Sequence, residues 1–260
     1  MDEIRAMLMR GGTSKGVYLL EADVPSDPSL RDDLLLRMLG SPDPRQVDGV
    51  GGGHPLTSKV AVVAKGEPGD ADVDYLFLQV SVDEPLVTDR QNCGNLLAGI
   101  GPFAVERGLV TAEGDVATVR IRMRNSNSIA IATFPVDPAT GRPRYDGTTA
   151  ISGVPGTAAA IEIAFEDIAG SSCGALLPTG ALMDTFAGVN VTAIDNGMPV
   201  VLLRADQLDI RGDEACEDLE ANTALRERLE KIRTEAGEAM GLGDVSQTTV
   251  PKLTIISPPR

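Results

Sequence analysis

Residues 92–107 read Asn-Cys-Gly-Asn-Leu-Leu-Ala-Gly-Ile-Gly-Pro-Phe-Ala-Val-Glu-Arg, and Gly108 follows. Leu96, Ile100, Phe103 and Ala104 recur at helical spacing, yet Gly99, Gly101 and Pro102 make the run a poor helix by intrinsic preference. Packing from outside must therefore hold it helical. No charged residue precedes Glu106, so no face of this helix is built for water. A helix of that kind fits a curled sheet threaded by it, with glycines letting strands come close. The sequence predicts a buried helix that starts at Cys93.

The segments around it supply such a sheet. Residues 6–9, 16–20, 59–64, 74–82, 116–123 and 128–134 are apolar or β-branched runs bounded by Gly, Pro or Asp, and read as strands. A helix is expected over 29–39, stopping near Gly40. Residues 135–158 concentrate Pro, Gly, Thr and Asp, which places a domain boundary near their end: a first domain over 1–155 and a second over 156–260. In the second, strands are expected at 160–165, 174–177, 189–195, 199–203 and 252–257. A helix over 224–240 carries an apolar stripe of Leu225, Leu229, Ile232, Ala236 and Met240. A faint echo between residues 14–20 and 172–177 suggests a duplicated fold.

Composition narrows the function classes. The chain has 260 residues, 42% of them hydrophobic, with 28 glycines and 17 prolines, which suits a turn-rich protein of two domains. A net charge of −15 argues against attraction to nucleic-acid phosphates or anionic lipid. No apolar run approaches the roughly 20 residues that cross a bilayer, and the start lacks the basic and hydrophobic regions of a signal peptide, so a cytoplasmic protein is expected. Three widely spaced cysteines suit reduced thiols better than a disulfide framework, and one histidine without a C-x-x-C pair offers no zinc site.

Three segments rich in glycine and small polar side chains stand out: 10–16, 51–59 and 92–95. Each can wrap backbone N–H groups around an anion, and each reads equally well as a tight turn; none completes a nucleotide-binding motif. Cys93 at a helix entrance is favoured as thiolate, or is a buried inert thiol. Lys59 opens an otherwise apolar strand, where a lysine loses its proton more readily, or else reaches solvent from the strand edge. Cys173 and Cys216 have less distinctive surroundings.

The ordered motifs RGGTSKG at 10–16, DGVGGG at 48–53 with LTSK at 56–59, NCGNLLAGIGPFAVERGL at 92–109, SSCGALLPTG at 171–180, IDNGMPVV at 194–201 and VPKLT at 250–254 resemble the methylaconitate isomerase (PrpF-type) family along the whole chain. That resemblance implies an α/β fold of the α+β kind, similar to diaminopimelate epimerase: two pseudo-symmetric domains, each a curled sheet around a central helix. It implies no cofactor and no metal, and Cys93 and Lys59 as the acid and base that move a proton on a small polycarboxylate. The expected reaction is keto–enol tautomerisation of 4-oxalomesaconate in the breakdown of gallate- or protocatechuate-type aromatics. Double-bond isomerisation of aconitate or methylaconitate is one alternative, and a catalytically silent anion binder another. In so acidic a chain a polycarboxylate needs a local positive field; Arg10, Lys15, Lys59 and the helix end at Gly94 and Asn95 can supply it, with Thr13, Ser14, Thr57 and Ser58 as hydrogen-bond donors. A homodimer is compatible with this reading. Relatives continue past the final motif, so the C-terminal domain is expected to be incomplete.

Overall fold

The computed structural model describes residues 3–89, 92–246 and 248–259. The chain divides into two compact units, residues 1–166 and 167–260. In the first, strands β1 (Ala6–Gly11), β2 (Ser14–Leu20), β3 (Lys59–Lys65), β4 (Val73–Val80), β5 (Val87–Thr88), β6 (Val116–Met123), β7 (Ser128–Pro135) and β8 (Glu162–Phe165) form one sheet. Its order is β1-β2-β3-β4-β6-β7-β8, with β5 on β4. The boundary expected at 155/156 falls inside this unit, because β8 pairs antiparallel with β7 and so extends the first sheet.

Two parallel pairings shape the sheet, β2 with β3 and β4 with β6. The first crossover passes through helix α1 (Pro28–Leu39), which Asp27 caps by accepting from the Ser29 and Leu30 N–H groups and which Gly40 ends. The second passes through the opening motif, as α2 (Gly94–Leu97) and α3 (Ile100–Glu106). Alternation assigns the faces. Tyr18, Ala61, Val63, Tyr75 and Phe77 share a core with Leu96, Leu97, Ile100 and Phe103, while Val17, Leu19, Val60 and Val62 pack with α1 residues Leu35 and Leu39 on the other side. Strands from both halves of the sheet, β1 and β2 as well as β6 and β7, touch α2 or α3. The sheet is therefore curled around the opening segment, as its uncharged sequence predicts.

That segment is broken where one helix was expected. Pro102 has no N–H and its ring conflicts with the carbonyl four residues back, at Ala98. The chain turns tightly there, with the Ala98 and Gly99 N–H groups donating three residues back to Asn95 and Leu96. Tyr18 exploits the break: its hydroxyl donates to the Leu96 carbonyl at 2.8 Å. A Cβ at Gly99 would stand 2.4 Å from that hydroxyl oxygen and 2.7 Å from the ring carbon bearing it. Gly99→Ala is expected to destabilise the unit by about 1–3 kcal/mol through overpacking. Adding Tyr18→Phe should recover part of that loss, and a denaturant-unfolding double-mutant cycle measures the coupling.

The second unit holds β9 (Asp184–Phe186), β10 (Val189–Asp195), β11 (Pro199–Arg204) and β12 (Lys252–Ile256), in the order β12-β11-β10-β9. β11 and β12 run parallel, joined through α4 (Cys216–Ala221) and α5 (Thr223–Ala239). The expected stripe packs on the sheet: Leu225, Ile232, Ala236 and Met240 are buried against Val189, Val191, Val201 and Leu203, with Leu229 partly covered. The strand expected at 174–177 is absent. Asp195 draws that segment into a turn, its carboxylate accepting from the Ser172 and Cys173 N–H groups at 2.7 and 2.8 Å, and Gly174 takes a positive φ of 83°. The echo between residues 14–20 and 172–177 thus matches a strand with a turn and marks no repeated element.

Candidate active site

Cys93 sits at the N-cap of α2 with extended backbone (φ −131°, ψ 97°) and is 7% exposed. Its carbonyl accepts from the Leu97 N–H at 3.1 Å and from the Tyr75 hydroxyl at 3.4 Å. Its neighbours are phenols. Tyr18 and Tyr75 are both held protonated well above the usual tyrosine range, first by burial and then by the nearby Cys93. Because α2 has only four residues, little of the expected helix macrodipole can act on the thiol. The enclosing core defines its environment instead.

Lys59 is the first residue of β3 and is 8% exposed, on the same sheet face as Ala61 and Val63. Its Nζ donates to Gln79 Oε1 at 3.0 Å and lies 4.9 Å from the centroid of the Phe77 ring. No carboxylate pairs with it among the described residues. Lys59 is in register with Gly16 of β2, where a Cβ would meet the Lys59 carbonyl at 2.7 Å and the Leu96 side chain at 2.9 Å. Leu96 thus lies over the strand start that carries Lys59, and Cys93 stands one helical turn before Leu96. Cys93 and Lys59 thus both border the inner face of the curled sheet, Cys93 at the Tyr75 hydroxyl and Lys59 beside the Phe77 ring.

The first glycine-rich segment is the β1–β2 hairpin, and it is pinned to α2. Thr13 N–H donates to Asn95 Oδ1 at 3.1 Å, Gly12 has a φ of 52°, and a Cβ on Gly12 would fall 2.1 Å from that same oxygen. Ser14 follows, on the face of β2 that Gly16 and Tyr18 share; it is 2% exposed and its hydroxyl has no protein partner. Arg10 is exposed and folds its guanidinium back onto the Gly12 carbonyl at 2.7 Å. It lines a separate cavity of about 220 Å³ with Met9, Pro102, Arg144, Tyr145 and Ile161. The Lys15 ammonium reaches the second glycine segment, 3.4 Å from where a Gly52 Cβ would stand.

Two expected donors are engaged within the protein. Thr57 Oγ1 donates to the His54 carbonyl at 3.1 Å, and His54 Nδ1 accepts from the Leu56 N–H. Ser58 corrects the expectation more sharply. It lies in the bend just before β3 (φ −122°, ψ 58°), and its fully buried hydroxyl accepts from Gln46 Nε2 at 2.7 Å. Gly94 is exposed with open space around its Cα, and Asn95 is committed to the hairpin. Sequence reasoning passed over Gln79, Phe77, Tyr18 and Tyr75. A signal existed in 73–80, where Val73, Tyr75, Phe77 and Gln79 alternate onto one face and the polar residue interrupts an apolar series.

In the second unit Cys173 is half-buried beside Asp195, and burial followed by that carboxylate pushes its thiol pKa upward. Among the described residues no helix is long and apolar enough to cross a membrane, and no cluster of three or more His, Cys, Asp or Glu is placed to hold a metal ion.

Comparison with known proteins gives a consistent result. The PrpF protein family matches residues 1–260. A 4-oxalomesaconate tautomerase of Pseudomonas putida is 58% identical over 257 residues, covering 99% of this chain and 71% of the relative. A (4E)-oxalomesaconate Delta-isomerase of a Novosphingobium species is 56% identical over 260 residues, 100% of this chain and 72% of the relative. Among solved structures, a methylitaconate-delta-isomerase superposes with a TM-score of 0.86 at 36% identity, over 96% of this chain and 67% of that one.

Proposed function

Because the chain belongs to the PrpF protein family, we propose that it is a cofactor-independent isomerase interconverting the keto and enol forms of 4-oxalomesaconate. The observation that carries this reading is the chain-long likeness to a 4-oxalomesaconate tautomerase. Such an enzyme acts in the cytoplasm on a small polycarboxylate, within the breakdown of gallate- or protocatechuate-type aromatics.

The chemistry asks for a base to take a carbon-bound proton beside a carbonyl and an acid to protonate the enolate oxygen. Lys59 and Cys93 fill these two tasks. The Lys59 amine has a neutral amide as its partner, and Cys93 lies near two protonated phenols, so neither is tied up in an ion pair. The Lys59 and Lys15 ammonium groups favour the substrate carboxylates against the net charge of −15. Arg10 adds to that field from the hairpin, with Thr13, Thr57, Gly94 and Asn95 forming the polar rim.

Ser14 offers an orphaned hydroxyl for a substrate oxygen. Ser14→Ala is expected to leave the ligand-free protein as stable as before or slightly more so, since no protein bond is lost. KM should rise by about 10-fold or more, the loss of one hydrogen bond to a charged group. Equilibrium unfolding and steady-state kinetics read the two quantities separately.

The overall reading is tested by ultraviolet absorbance. 4-Oxalomesaconate should change its spectrum on addition of the protein, with deuterium incorporated from heavy water, and aconitate should be untouched. The likeness to a solved methylitaconate isomerase favours one rival, a double-bond isomerase using the same residues. Turnover of aconitate or methylaconitate instead would select that rival, and absence of any isotope exchange would select a silent anion binder.

A further inference from the structure

Gln79 stands directly across from Lys59 in the antiparallel β3–β4 pair. Its amide has only one orientation consistent with its surroundings. Nε2 donates to the carbonyls of Pro55 at 3.1 Å, Ser58 at 2.9 Å and Val80 at 3.3 Å, so Oε1 is turned to the Lys59 amine. The other wall is equally fixed. Phe77, whose ring underlies Nζ, has its backbone N–H and carbonyl both bonded to the Asn125 amide at 2.8 and 2.9 Å. Lys59 therefore rests on a π face held by Asn125 and on one neutral acceptor held by the 55–58 turn.

We propose that Gln79 is the positioning residue of the Lys59 amine, a neutral acceptor that fixes where Nζ points without holding its proton as a carboxylate would. This rests on the assignment of Lys59 to proton transfer. The chemical reason for an amide is specific: a carboxylate at this distance would stabilise the ammonium and oppose proton loss, and an apolar side chain would leave the amine unaimed. The other titratable side chains of the same inner core are Tyr18 from β2, Tyr75 from β4 and Cys93 at the N-cap of α2. They are unchanged in the variants below and cancel in the comparison.

The test uses substitutions of opposite sign. In Gln79→Glu the added negative charge favours the ammonium, so Lys59 should deprotonate about one pH unit or more higher than in the parent. In Gln79→Met the acceptor is lost, so deprotonation should move to lower pH, and kcat should fall about 10-fold with KM within about 2-fold. Competitive acetylation of Lys59 against pH, followed by mass spectrometry with Lys65 as internal reference, reads both midpoints without turnover. The pH profile of kcat/KM should move its Lys59 limb in the same two directions. Folding is checked by circular dichroism, and if one variant fails to fold the other still carries a signed expectation. Unmoved midpoints in a folded variant, or movement of both in one direction, overturn the proposal. If Lys59→Met keeps full activity, the proton-transfer assignment falls instead. If Lys59→Met is inactive while the Gln79 midpoints stay put, that assignment stands and Gln79 is only structural.

Discussion

Cys93→Ser is expected to lower turnover by about 10²-fold or more while leaving KM within a few-fold of the parent. The substitution exchanges a tunable thiol for a hydroxyl of similar shape that is far too weakly acidic to act alone. Little else changes. Cys93 occupies an N-cap with extended backbone, a position serine favours, so the folded state should be retained or slightly stabilised. Unchanged thermal unfolding alongside the kinetic loss would place the defect in chemistry. Cys173→Ser provides the contrast, expected to change turnover less than about 3-fold. Its backbone N–H, which any residue but proline supplies, makes the bond to Asp195, and a serine hydroxyl can still face that carboxylate. An indispensable Cys173 with a dispensable Cys93 would overturn the assignment of the thiol.

The opening motif was legible because its message is negative: a helix without charge and with poor intrinsic propensity has to be enclosed. Its break at Ala98–Gly99 was also written locally, in Pro102, but only the arrival of Tyr18 shows why the break is kept. Strands with clear alternation, such as β6, β7 and β10, stand where periodicity put them. Residues 174–177 misled because the decisive partner, the Asp195 carboxylate, comes from about twenty residues away and no local pattern announces it. The same holds for β8, whose short apolar run reads identically whether it opens a second sheet or extends the first.

In the site, residue types were readable and directions were not. Cys93 and Lys59 emerged as unusual against their local background, whereas the Lys59 surroundings depend on the β3–β4 register, a long-range property. Ser58 is a further case: it lies in the bend before β3, and its burial depends on Gln46, a partner twelve residues back that no local pattern announces. Ser14 gains interest only in three dimensions, where a serine at the end of a hairpin becomes a buried hydroxyl lacking a partner.

Lys59→Met should separate activity from stability most sharply. The thioether has nearly the reach of the lysine stem and keeps contact with the Phe77 ring, while the ammonium is removed from a site 8% exposed to water. In the parent that charge has a π face, worth about 0.5–2 kcal/mol, and one hydrogen bond, worth about 1.5–3 kcal/mol. Against these stands a desolvation penalty of several kcal/mol with no counter-ion to offset it. The two sides nearly cancel, so the variant is expected to unfold at a denaturant concentration close to the parent's. Catalysis should not be spared: kcat/KM falls by about 10³-fold or more, because one member of the proton-transfer pair is gone. KM should also rise, since a positive charge is withdrawn from the carboxylate site, and this distinguishes Lys59→Met from Cys93→Ser. A stable, inactive and weakly binding variant marks Lys59 as a residue kept for chemistry and not for stability. If stability and activity fall together, the amine is a structural element of the β3–β4 pair and the proton-transfer assignment fails.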